Sequence, residues 1–302
     1  MGHPLAARGL GQDLVAMIAN DLICVGAEPA YMLDYVATAS LQDGSRQWLE
    51  ELLRGVSDAC SSIGMRLVGG ETAEMPGLFQ ICGLSGALQG AAEFDIAGFG
   101  IGTLPAGSML PRSDGIAVGD VLIALPSSGL HSNGFSLVRK LLLDRGYSDE
   151  DLRSARAPWI KASGGETAAP SIGSVLLTPT ALYVNVLRDL LLSSEGSNDA
   201  GILGVAHITG GGITGNVPRM WNGDQHGSVV ADLDYGSWTL PTLFRWLQEA
   251  LDMSREEMFS TFNCGVGMVL CVQREKREAI LEYFRRRHVK AWQIGCIAEA
   301  ER

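Results

Sequence analysis

Apolar positions change their spacing several times along the chain, and each change marks an element. From Asp13 to Ala27 the side chains of Leu14, Val15, Met17, Ile18, Leu22, Ile23 and Val25 recur at helical spacing, and Gly26 with Pro29 ends the pattern. This predicts a helix with one face against a core. Pro29 to Leu41, rich in aromatic and β-branched residues, predicts a strand, and a helix over 46–63 closed by Gly64 follows it. Met65 to Val68 predicts a short buried strand entering a Gly69-Gly70 turn, and Asp95 to Leu104 predicts another strand. Between Pro76 and Asp95 small and apolar residues follow no period, so a loop is expected there.

The second half reads similarly. A strand over 120–125 enters Ser127-Ser128-Gly129, and a helix over 133–143 follows with Ser132 or Asn133 as its cap. Tyr147 to Gly173 is polar, small and Pro-containing, which predicts a surface excursion. Thereafter helices are expected at 179–192, 241–251, after the Ser254 cap, and at 274–287. Strands are expected at 205–209, 228–233, 266–272 and 291–298. The class is α/β (α+β) in two domains, 1–110 and 111–302, with the natural cut between Leu104 and Gly119.

Composition narrows the function. The chain has 302 residues, 46% hydrophobic and 19% charged, enough for one large core or two ordinary ones. Its 23 basic and 34 acidic residues give a net charge of −11, and Arg285-Arg286-Arg287-His288 is the only basic block that stands out. That argues against nucleic acid as a partner. An acidic chain that holds phosphorylated ligands needs cations, backbone amides and a few placed side chains instead. Six scattered cysteines without a C-x-x-C pair read as buried thiols of a reducing compartment. No apolar run reaches membrane-spanning length, so a cytoplasmic location is expected.

Four stretches carry candidate chemistry. Gly69-Gly70-Glu71 follows a strand, and a carboxylate at a strand's end suits Mg²⁺ carrying a triphosphate; in isolation the plainer reading is a tight turn with a solvated Glu. Asp21 falls beside Leu14, Met17 and Ile18 on the first helix, where it needs a partner such as a cation, although an ordinary surface Asp fits the segment equally well. Ser127 to Gly134 places hydroxyls, an amide and His131 between a strand and a helix, which suits phosphate or else a simple capped start. His207-Ile208-Thr209-Gly210-Gly211-Gly212 repeats that logic, and three glycines are entropically unfavourable unless backbone must approach something closely. Cys264, without a flanking base, is a poor candidate nucleophile.

Taken together, Gly11 to Met17 with Asn20-Asp21, Gly26 to Pro29, Leu33-Asp34-Tyr35, Gly69 to Pro76, Asp95 to Phe99, Ser127 to Arg139, Thr178 to Thr180, His207 to Gly212 with Asn216 to Arg219, and Thr261 to Met268 resemble aminoimidazole ribonucleotide synthetase, also called phosphoribosylformylglycinamidine cyclo-ligase. The resemblance runs in the family's order over nearly the whole chain. It implies a homodimer whose amino-terminal sheets pair into a shared barrel, either alone or fused to other purine-synthesis enzymes. The implied substrate is formylglycinamidine ribonucleotide, closed to an imidazole at the expense of ATP. Asp21 and Glu71 would help hold Mg²⁺-ATP, His131 and His207 would serve as donors or proton-transfer groups, and Asn133, Gly211 and Gly212 would be further ligand contacts.

Two departures from the family pattern shape the expectations. The family carries an Asp-Gly-Val-Gly-Thr-Lys motif before the segment at Gly11, and the chain begins after it, so a truncated amino-terminal domain is expected. The Gly77 to Phe94 stretch is longer than the family's loop. The alternative function is therefore a non-catalytic fragment serving as a dimerising or phosphate-binding module. Related ATP-binding proteins of the preceding purine step, selenophosphate synthesis and thiamine phosphorylation are a third reading. Exposed sheet edges and apolar faces predict poor solubility.

Overall fold

The computed structural model describes residues 4–41, 45–79, 93–160, 170–192, 201–221 and 229–300. Most of the Gly77 to Phe94 stretch, and the middle of the expected surface excursion, lie outside them.

The amino-terminal part comprises α1 (Pro4–Cys24), β1 (Glu28–Thr38), α2 (Ser45–Ser62), β2 (Arg66–Glu74) and β3 (Phe94–Thr103). Helix α1 starts well before the predicted Asp13, because its first turns are built from small residues that carry no apolar period. Those residues have another use. A Cβ on Gly11 would lie 2.3 Å from the Leu52 carbonyl oxygen, and one on Gly55 would lie 2.0 Å from the Arg8 carbonyl oxygen. The α1 and α2 backbones thus touch where no side chain fits.

The three strands form a sheet in the order β2-β1-β3, with β2 parallel and β3 antiparallel to β1. The face towards α1 is shaved by Gly98 and Gly100, whose Cβ atoms would fall 2.5 and 2.3 Å from Ile18. On the opposite face Tyr31 and Leu33 lie across from Ile101 and Phe99, and all four are exposed, Phe99 at 64%. Strand β2 corrects the sequence reading. Gly69, Gly70 and Glu71 do not turn but continue the ladder, opposite Leu33, Asp34 and Tyr35. The glycine at 70 is required by packing, since a Cβ there would fall 2.2 Å from Oδ1 of Asp34.

The remainder holds β4 (Val121–Pro126), α3 (Phe135–Asp144), α4 (Asp149–Ser154), α5 (Ile172–Leu176), α6 (Val184–Leu192), β5 (Ile202–His207), α7 (Gly212–Asn216), β6 (Val229–Leu233), α8 (Thr242–Leu251), α9 (Arg255–Thr261), β7 (Val266–Val272), α10 (Arg277–Arg286) and β8 (Trp292–Glu299). Its strands form one sheet, β5-β7-β4-β8-β6, with every neighbouring pair antiparallel. Helix α9 begins with the expected Ser254 cap, reciprocated by Glu257 in a capping box. Ala157 and Trp159, within the expected surface excursion, are buried, and Trp159 meets Trp246 at 4.5 Å between ring centroids.

Alternation along β4 divides the core. Leu122 and Ala124 face a cluster with α3, α8 and α9, whereas Val121, Ile123 and Leu125 face one with α1, α2, α6 and α10. The second cluster runs unbroken from Leu14 and Val56 to Met268 and Phe284, so the segments on either side of residue 110 share a core. Arg188 of α6 reinforces the joint, donating to the Ile63 carbonyl at the end of α2 and pairing with Glu28.

Candidate functional site

The site forms where α1 lies against the segment before α6 and the carboxyl ends of β4 and β5. Gln12 donates to the Thr180 carbonyl at 2.8 Å, and Asp13 accepts from the Thr180 backbone N–H and hydroxyl at 2.8 and 2.5 Å. Burial raises the Asp13 carboxyl pKa, against the lowering effect of those bonds. Two turns further on, fully buried Asn20 accepts from the Tyr183 N–H at 3.0 Å and donates to the Ala181 carbonyl at 2.9 Å. The predicted helix 179–192 starts only at Val184, because these carbonyls and amides of 179–183 bond to α1 and its neighbours instead.

The turn after β4 is built around His131. His131 and Ser132 both adopt left-handed backbone, at φ 53° and 59°, and Gly134 at 76° is the residue that precedes α3. Neither Ser132 nor Asn133 caps α3 by a side chain; Asn133 donates to the His131 carbonyl at 2.5 Å and so tightens the turn. The His131 ring is 1% exposed, and its Nε2 accepts from the Ser128 N–H at 2.9 Å and the Ala181 N–H at 3.4 Å. Backbone amides cannot accept, so Nε2 keeps its lone pair and the ring proton sits on Nδ1. That Nδ1 has no partner among the described residues. Burial, followed by the proximity of His207, holds the pKa down at about 3. His131 is thus a neutral donor rather than a titrating base.

His207 ends β5, and its Nδ1 lies 2.9 Å from Oδ1 of Asp21. Its Nε2 lies 3.4 Å from Nδ2 of Asn20. The ring is almost wholly buried, whereas Asp21 is largely exposed. A chain of contacts therefore joins Asp21, His207, Asn20, Ala181, His131 and Ser128. Beyond β5, Gly211 and Gly212 take φ of 93° and 61°. Gly211 is exposed, and a Cβ there would make only ordinary contact with Gly215 and Asn216 at 3.8 and 3.9 Å, but a Cβ on Gly212 would fall 2.1 Å from the Phe259 carbonyl oxygen, so Gly212 serves close packing against α9. Asn216 holds the loop, donating to the carbonyls of Thr209, Gly210 and Gly212 at 3.3, 3.2 and 2.7 Å.

The carboxylates are dispersed. Glu71 is exposed on β2, and Asp34 beside Gly70 is buried with its pKa raised by desolvation. Among the described residues no group of three or more His, Cys, Asp or Glu is placed to hold a metal. The arrangement still suits Mg²⁺ that arrives with a triphosphate, since such an ion keeps waters and takes only one or two protein carboxylates. The exposed Asp21, with one oxygen held by His207, has the exposure that such a donor needs. Cys264 is buried, with its thiol pushed up to about 12 by desolvation, in keeping with an inert core cysteine.

The sequence predicts no site role for Asp13, Asn20, Tyr183 or Gly267, although all but Tyr183 lie inside the stretches that carry the family resemblance. A Cβ on Gly267 would fall 1.8 Å from the Tyr183 hydroxyl and 2.9 Å from Cε1 of His131, so this glycine makes room for the ring. Only the polar Gln12-Asp13 and Asn20-Asp21 pairs inside an apolar helix signalled the contact in advance.

A two-part fold whose junction carries His131, His207 and Asp21 matches a known class. Residues 2–104 match the family description "AIR synthase related protein, N-terminal domain", and residues 117–302 match "AIR synthase related protein, C-terminal domain". The fold agrees. Hydrogenase maturation protein HypE in complex with ATP aligns with a TM-score of 0.63 at 18% identity, covering 95% of this chain and 70% of that one. Thiamine-monophosphate kinase from Stenotrophomonas maltophilia aligns with a TM-score of 0.62 at 18% identity, covering 98% and 77%. At the level of sequence, the phosphoribosylformylglycinamidine cyclo-ligase of Picosynechococcus is 39% identical over 97% of this chain and 76% of its own length. That of Shouchella clausii is 41% identical over 97% and 74%. The chain belongs to the phosphoribosylformylglycinamidine cyclo-ligase family. It also resembles the trifunctional purine biosynthetic protein adenosine-3 of Gallus gallus at 40% identity, spanning about a quarter (26%) of that protein's length.

Proposed function

We propose that the chain catalyses, with ATP and Mg²⁺, the closure of formylglycinamidine ribonucleotide to aminoimidazole ribonucleotide. In this reading the γ-phosphoryl group passes to the formyl-derived amide oxygen, releasing ADP. The amidine nitrogen then attacks the activated carbon, the carbon–oxygen bond to the phosphoryl group breaks, and inorganic phosphate and a proton leave as the imidazole closes. Protein groups must hold nitrogen and carbon in attack geometry and neutralise the transferring phosphoryl group.

The observation that carries the reading is the contact chain from Asp21 through His207 and Asn20 to His131, which gathers one exposed carboxylate and one neutral buried donor at the junction of the two parts. Asp21, with Glu71 as a second carboxylate, would meet the cation. The N–H on Nδ1 of His131, buried and without a partner among the described residues, would donate to a substrate or phosphate oxygen that displaces its present cover, and Asn133 and Gly211 would border the same space. Mg²⁺, when bound, would draw charge from the phosphates. The test is ATP-dependent appearance of aminoimidazole ribonucleotide with stoichiometric ADP and phosphate from purified protein. ATP binding without ring closure at saturating substrate would instead favour the non-catalytic alternative.

The exposed face formed by Tyr31, Leu33, Phe99 and Ile101 supports a homodimer through the three-stranded sheet, since an apolar sheet face calls for a cover. Among the described residues no helix is long and apolar enough to cross a membrane. A cytoplasmic location and association with other purine-synthesis enzymes complete the reading.

A further inference from the structure

The geometry points to His207 as a positioning residue that holds the Asp21 carboxylate through a fixed ring tautomer set by Asn20, rather than as a proton-transfer group. The amide orientation of Asn20 is determined by backbone. Its Oδ1 receives the Tyr183 N–H at 3.0 Å, and its Nδ2 donates to the Ala181 carbonyl at 2.9 Å. Flipping the amide would set oxygen against oxygen and N–H against N–H in a fully buried place. The second Nδ2 hydrogen remains, and the group it faces is Nε2 of His207 at 3.4 Å. An N–H on Nε2 would confront that donor, so Nε2 bears the lone pair. The proton of the neutral ring is then on Nδ1, which donates to Oδ1 of Asp21 at 2.9 Å.

Both ring nitrogens of His207 are therefore committed inside the protein, and the ring itself is buried. It has no nitrogen left with which to deliver or take a proton at a substrate. What it can do is fix one oxygen of an exposed carboxylate, leaving the other to face solvent, a cation or a cation-bound phosphate. Outer partners of ligating groups characteristically act this way, and losing one weakens metal affinity by about 10–100-fold. The cation part of this assignment rests on the proposed role of Asp21; the tautomer does not.

Asparagine and glutamine separate the two roles by geometry. The amide nitrogen of Asn occupies roughly the place of Nδ1 of histidine, and that of Gln roughly the place of Nε2. His207→Asn can thus keep the donor to Asp21 while removing every titratable nitrogen, and His207→Gln and His207→Leu cannot keep it. The first readout is ¹⁵N NMR of ring nitrogens in the intact chain without nucleotide: His207 is expected as the Nδ1–H tautomer, and an Nε2–H tautomer overturns the assignment. The second readout is Mn²⁺ affinity in the presence of a non-hydrolysable ATP analogue, with thermal melting alongside to confirm folding. His207→Asn should bind within about threefold of the parent, and His207→Gln and His207→Leu should bind about tenfold more weakly or worse. Equal weakening in all three folded variants, or none in any, rejects the positioning role. If the parent chain binds no Mn²⁺, the ligand role of Asp21 fails instead, and the tautomer decides the assignment of His207 alone.

Discussion

Replacing Gly267 by alanine adds a single methyl group at the second residue of β7, where the chain is fully buried. The new Cβ would lie 1.8 Å from the Tyr183 hydroxyl, 2.8 Å from its Cζ and 2.9 Å from Cε1 of His131. The hydroxyl would be roughly 1.6 Å inside ordinary van der Waals contact, so the phenol must retreat. Retreat breaks its 2.6 Å hydrogen bond to the Pro126 carbonyl. Overpacking of this kind costs about 1–3 kcal/mol, and a buried donor and acceptor left unpaired add about 1–3 kcal/mol. The expected loss is about 2–6 kcal/mol, read as a fall of roughly 3–10 °C in Tm for a chain of this size. Urea denaturation of the parent, Gly267→Ala, Tyr183→Phe and the double variant would close the cycle. Removing the hydroxyl should recover about 1 kcal/mol or more of the alanine's penalty, since the two changes share one contact. A Gly267→Ala protein within about 0.5 kcal/mol of the parent would refute the claim that this glycine makes room for the ring pair.

Three further outcomes follow from the same structure. Burial holds the His131 pKa at about 3 against an ordinary 6.5, so between those values the unfolded chain binds the proton that the folded chain refuses, and stability falls as pH falls below 6.5. Between pH 7 and 5 the parent should lose about 2 kcal/mol more than His131→Asn in denaturant titrations, and parallel profiles would contradict the burial argument. Gly55→Ala would drive a methyl group to within 2.0 Å of the Arg8 carbonyl oxygen, which cannot rotate away, so separation of α1 from α2 and a loss of about 3 kcal/mol or more are expected in thermal melts. Finally, Leu33→Glu with Phe99→Glu places like charges across from each other on the exposed sheet face; sedimentation should show the dimer reduced to monomer, with higher solubility, and an unchanged dimer would place the interface elsewhere.

Several parts of this architecture were legible in advance because they rest on local rules. The cap at Ser254, the strand β7 and the helix α2 follow from spacing and cap chemistry, and the structure places them within a residue or two of expectation. The Gly69-Gly70 stretch failed for an instructive reason. A glycine pair signals a turn when only the chain itself is considered, yet here Gly70 clears the side chain of Asp34 on the neighbouring strand, a contact that sequence spacing does not encode. The start of α6 was misplaced similarly, because residues 179–183 give their backbone groups to Gln12, Asp13 and Asn20, more than 160 positions away.

By itself, then, the sequence determined the alternation of helices and strands, the net negative charge, and the family, through motifs kept in order along the chain. Tertiary structure decided which of those motifs meet. It joined Asp21 to His207, pressed His131 into a neutral and buried state, and set Glu71 out on a strand. The physical reason is that a side chain's charge and tautomer depend on which groups replace its water, and packing of distant elements alone supplies those groups.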